Sequence, residues 1–157
     1  MSLVVPNRIL FANVCDLLSQ GKAIVVEVKG CSMLPFIVGD RDSVKLVQTW
    51  WGVGDAVLSK LPNGKYVLHR VKKIEGESVL LKGDGNLTGT EKCTVSDVKG
   101  KVVEVLKNGK SPVDVSKPLY RIRVKIWNAQ PYLIRRVVLA IYRRFILLQV
   151  KTKKYKK

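Results

Sequence analysis

The chain has 157 residues, 46 % of them apolar, which is enough for one domain with a buried core and room for an appendage. Lys and Arg outnumber Asp and Glu by 29 to 12, and the excess is uneven: residues 117–157 hold thirteen basic residues and no acid, leaving sixteen against twelve before them. Cys15, Cys31 and Cys93 form no metal-ligand spacing and cannot all pair within one chain, no run reaches the roughly 18 uncharged apolar residues of a spanning helix, and the first twenty residues carry no secretory leader pattern, so reduced thiols in a cytoplasmic protein are the expectation.

In chain order, Asn7 to Gln20 places Leu10, Val14, Leu17 and Leu18 at helical spacing, and Gly21 supplies a stop. This predicts a short amphipathic helix, too short to be a complete helix-turn-helix reader. From Ala23 the pattern changes to short β-rich runs: AIVVEVK, DSVKLVQ, DAVLSKL, KYVLHRVKKI, SVLLK and VKGKVVEVL, each bounded by Gly, Asn, Asp or Pro. Pro62-Asn63-Gly64 predicts one hairpin turn, because Asn and Gly tolerate positive φ, and Glu75-Gly76 a second.

Beyond Pro118 the composition shifts again. Tyr132 to Val150 puts Ile134, Val137, Val138, Ile141, Phe145 and Leu148 on one helical face and Arg135, Arg136, Arg143 and Arg144 on the other side, with Pro131 in the first turn. Residues 151–157, KTKKYKK, are expected to be disordered. The expected organisation is an N-terminal helix over 1–21, a mainly β domain over 22–116, and a basic helical tail over 117–157.

Three short segments stand out, each with an ordinary structural explanation when taken alone. Ser32 in KGCSMLP is a turn serine, His69 in YVLHRV is a lone histidine in a strand, and KGDGN from Lys82 to Asn86 is a turn. Their joint order is more specific. The arrangement G-x-S-M-x-P after a strand, then YVLHRV, then KGDGN, resembles the signal peptidase I and LexA-like serine protease superfamily, over roughly Val25 to Val105. The histidine places the resemblance nearest the ER-type branch.

That resemblance implies a signal peptidase or LexA-like β domain with Ser32 as nucleophile, His69 as base and Asp84 as supporting acid. ER-type members carry a further aspartate some six residues after that acid, where this chain has Thr90 followed by Glu91. The implied substrate is a peptide or protein leader with small residues before the cut, and no metal or organic cofactor is implied. The chemistry suits these residue types. A serine hydroxyl needs a neighbouring base to attack a carbonyl, and neutral imidazole can take that proton and return it to the leaving amine. The Ser32 N–H, on a turn that Gly30 permits, would supply part of the oxyanion hole. Met33, Leu34 and Phe36 are candidate substrate-cleft residues, with core packing as the alternative. Cys31 is a competing nucleophile, but adjacent side chains diverge and both cannot face His69.

Two other classes of function remain open from the sequence: a catalytically inactive peptide-binding module of the same fold, and a self-cleaving regulator. The basic tail over 131–157 is expected either to meet an anionic membrane surface, giving a peripheral location on the cytoplasmic face, or to dock its apolar face on the β domain. Its lack of a reading module argues against nucleic acid as partner.

Overall fold

The computed structural model describes residues 7–154. Helix α1, Asn7–Ser19, turns Val14 and Leu18 into the core and stacks Phe11 on Tyr66 with ring centroids 5.3 Å apart. The side chain of Leu10 lies outside the described residues. Gly21 ends the helix at φ 77°, its N–H reaching the Leu18 carbonyl and that of Lys22 the Leu17 carbonyl, which satisfies two otherwise orphaned acceptors.

Strands β1 (Ile24–Glu27), β2 (Ser43–Val47), β3 (Ala56–Lys60), β4 (Tyr66–Glu75), β5 (Ser78–Lys82), β6 (Glu91–Thr94), β7 (Val98–Lys107) and β8 (Ser111–Asp114) form one antiparallel half-barrel sheet. Their order is β1-β2-β7-β3-β4-β5-β6, with β8 pairing the far half of β7. The ten-residue β7 is the hub, since it pairs β2, β3 and β8, and irregularities at Lys45/Leu46 and Leu58/Ser59 bend its partners around it. At Gly100 an added Cβ would meet the Leu18 side chain at 2.9 Å, so Leu18 of α1 packs directly over this glycine of β7.

The Pro62–Gly64 turn closes as expected, with Gly64 at φ 79° and the Asn63 side chain accepting from Lys65 N–H. The β4–β5 hairpin pairs Glu75 with Ser78 across Gly76 at φ 55°. Core clusters form on both sheet faces: Val44, Leu46, Leu58, Val102 and Val105 pack with α1, while Val57, Val71, Val79, Leu81 and Cys93 pack together.

The tail departs from the expectation in three ways. It contains a helix that periodicity did not single out, α2 (Pro118–Ala129), before α3 (Tyr132–Lys154). Helix α3 also runs through Lys154, into the segment expected to be disordered; residues 155–157 lie outside the described ones. Most important, the apolar stripe of α3 is not its docking face. Ile134, Val137, Ile141, Phe145 and Leu148 are exposed, whereas Arg135 and Leu139 are buried, and Trp127 of α2 joins Leu139, Leu34 and Val38 in a third cluster. Part of the reason is polar: Nη2 of Arg135 finds the Asp84 and Asn86 carbonyls beneath it, which offsets part of the cost of burying a guanidinium whose Nε has no partner. Among the described residues no helix is long and apolar enough to cross a membrane.

Candidate active site

Ser32 lies on the irregular segment between β1 and β2. The neck of this loop is closed by paired backbone, with Val28 N–H to Asp42 O at 3.1 Å and Asp40 N–H to Val28 O at 2.8 Å. Gly30 takes φ 78°, and Gly39 is so close that an added Cβ would sit 1.9 Å from the Gly30 carbonyl oxygen. Inside the neck, Leu34 N–H to Cys31 O, and both Phe36 and Ile37 N–H to Met33 O, wind the chain into successive tight turns. Asp42 anchors the far end. Its carboxylate accepts from the backbone N–H of Val38 and Asn108 and from the side chains of Arg41 and Lys107, while Lys107 also donates to the Phe36 carbonyl.

These turns correct the expected cleft residues. Met33 and Ile37 point into the α1-facing core, and Leu34 and Val38 into the cluster under the tail, so Met33 and Leu34 are buried anchors rather than an open substrate surface. Phe36 packs edge-to-face on Tyr120 at 5.8 Å, with the Arg70 guanidinium 5.9 Å from its ring centre. Residues four apart along these turns share a side, which is why an apolar run after the serine reads equally well as cleft or core.

The KGDGN segment follows β5 and meets the serine loop backbone to backbone. Gly85 N–H donates to the Ser32 carbonyl at 2.7 Å. An added Cβ at Gly83 would be 2.3 Å from that same oxygen, and one at Gly85 would be 2.5 Å from the Cys31 carbonyl. The two glycines are therefore required for contact between two segments some fifty residues apart in the sequence. Among the described residues the Ser32 N–H donates to no backbone acceptor, which leaves it available to an oxyanion.

Asp84, however, does not reach His69. Its fully buried carboxylate takes Arg70 Nε at 2.8 and 3.0 Å and Nη2 at 2.5 Å, and Arg70 Nη1 continues to the Gly54 carbonyl at 2.7 Å. Burial alone would lower the Arg70 pKa, but Asp84 more than reverses this and holds the guanidinium charged. Arg70 and His69 are neighbours on β4 and so project to opposite sheet faces, which separates Asp84 from the imidazole.

The acid on His69 is Glu91, with Nδ1 to Oε2 at 2.9 Å and side chains 6 % and 30 % exposed. Sheet register makes this pair: Val71, Leu81 and Glu91 form one row across β4, β5 and β6, and His69 projects to the same face as Val71. With Nδ1–H donating to the carboxylate, Nε2 is the nitrogen left to accept a proton. Among the described residues no hydrogen bond joins Nε2 to the Ser32 hydroxyl.

Residues of the tail complete the surroundings. Trp127 Nε1 donates to the Asp84 carbonyl at 2.9 Å, Arg135 Nη2 to the Asp84 and Asn86 carbonyls at 3.0 and 3.3 Å, and Arg143 Nη2 to that of Gly85 at 3.3 Å. Three successive carbonyls of the KGDGN turn are thus held by α2 and α3. Cys31 is exposed at the loop surface, whereas Cys93 is buried, which pushes its thiol pKa up. In comparisons with known proteins, no family model and no curated protein matches the chain.

Proposed function

We propose that the protein is a serine peptidase of the signal peptidase and LexA-like type, acting on a peptide or protein leader. Ser32 Oγ attacks the scissile carbonyl as its proton passes to Nε2 of His69, and Glu91 holds the imidazole in the tautomer that leaves Nε2 basic. The tetrahedral oxyanion is met by the Ser32 N–H. The C–N bond then breaks with the proton returning from Nε2 to the leaving amine, and water, activated by the same nitrogen, hydrolyses the acyl-serine. The observation that carries this reading is the His69–Glu91 pair at 2.9 Å in a chain with one histidine.

The competing reading is a peptide-binding module of the same fold without catalysis, favoured by the absence of a Ser32–His69 hydrogen bond among the described residues. Labelling by a serine-directed activity probe separates the two. For a peptidase, labelling is lost in Ser32→Ala and His69→Ala and kept in Cys31→Ala. An intact protein that reacts no faster than Ser32→Ala, while a known serine peptidase reacts, leaves the binding module as the function.

A further inference from the structure

The two tail helices carry an apolar surface that the fold does not use. On α3, Ile134, Val137, Ile141 and Phe145 follow helical spacing and are between 48 and 66 % exposed. On α2, Leu119, Ile122 and Ile126 repeat the same spacing and are more than half exposed. Neither stripe has a place in the core, because Trp127, Arg135 and Leu139 already occupy the inner sides of these helices.

We infer that the outer faces of α2 and α3 form an in-plane docking surface for an anionic phospholipid bilayer. Charge selects this partner. Residues 117–157 carry thirteen basic side chains and no acid, and Arg123, Lys125, Arg136 and Arg144 are exposed beside the apolar stripes. Apolar side chains flanked by cations match the acyl–headgroup boundary, where the stripes leave water and the cations meet lipid phosphates. A second copy of the chain would bring one basic face against another, which opposes self-association through this surface. Nucleic acid would satisfy the cations and leave the apolar stripes in water. The helices lie on the surface rather than span it, since arginine pairs interrupt the apolar runs of α3. Because α3 also holds the carbonyls of residues 84–86, this docking would keep the Ser32 loop close to the bilayer.

Co-sedimentation of the full chain with phosphatidylcholine vesicles, with and without phosphatidylglycerol, tests the inference, and its outcome is independent of peptidase activity. Binding is expected only with phosphatidylglycerol, and weaker as salt is raised. Arg136→Glu with Arg144→Glu should weaken it at least tenfold, each charge near such a surface being worth about fivefold. Ile141→Asp should weaken it comparably, and Phe145→Trp should give a blue-shifted emission on anionic vesicles alone. These positions are exposed, so circular dichroism should match the parent. Equal binding to both vesicle types, or parental binding by a folded Ile141→Asp, overturns the inference. So does a dimer that Ile141→Asp dissociates, in a chain that ignores vesicles.

Discussion

At Asp84 the carboxylate is fully buried against Arg70, and at Glu91, seven residues on, it is partly exposed against His69. The two acids should therefore fail differently. Asp84→Asn leaves the Arg70 guanidinium buried without its counter-charge, and we expect a loss of roughly 3 kcal/mol in urea unfolding. Glu91→Gln removes a partner that water can partly replace, so stability should change by less than about 1 kcal/mol. Labelling of Ser32 should nevertheless slow by about 10² or more, because a glutamine that donates to Nδ1 selects the wrong tautomer. Partial recovery in Glu91→Asp would mark a positioning role; equal labelling by Glu91→Gln and the parent would remove Glu91 from the mechanism. Ser32 and His69 were legible in the sequence as members of ordered boxes. The acid was not, because choosing between Asp84 and Glu91 requires knowing which face of β4 each one meets.

At the scale of elements, the short β-rich runs were legible because turn residues bound them, and six of the eight strands among the described residues follow directly. The four-residue β6 and β8 were not. One carries charges and the other a proline, and both derive their pairing from longer neighbours, β5 and β7. In α3 the spacing identified the helix but not its inner side. Leu139 is the apolar centre of that side, so Leu139→Ala should cost about 2–5 kcal/mol. If α3 clamps the KGDGN turn, the same substitution should accelerate amide exchange at Gly85, measured by hydrogen–deuterium exchange, while β7 amides such as Val102 change only with global stability. Unchanged protection at Gly85 relative to Val102 would separate the clamp from the fold.

Across the whole molecule, Asp42 links the serine loop to the end of β7. Burial would raise its pKa, but Arg41, the Val38 and Asn108 N–H groups and Lys107 overcome that and hold it at about 2. Its folded pKa thus lies below the ordinary aspartate value of 3.8, so the stabilisation is complete above that value and is lost as pH falls toward 2. The contribution is about 2 kcal/mol, visible as a lower urea midpoint at pH 2.5 than at pH 5, and Asp42→Asn should flatten that part of the profile. The sequence by itself determined the local features: a capped N-terminal helix, β-rich runs with their turns, the ordered Ser32, His69 and KGDGN boxes, and a tail rich in cations. Each depends on residue type and short-range spacing, which a linear chain displays. Only the tertiary structure decided which acid meets His69, that Met33 and Leu34 are anchors, and that α3 buries Arg135 and Leu139 rather than its apolar stripe. Those outcomes depend on sheet register and on backbone carbonyls brought together from distant segments, and no local pattern encodes either.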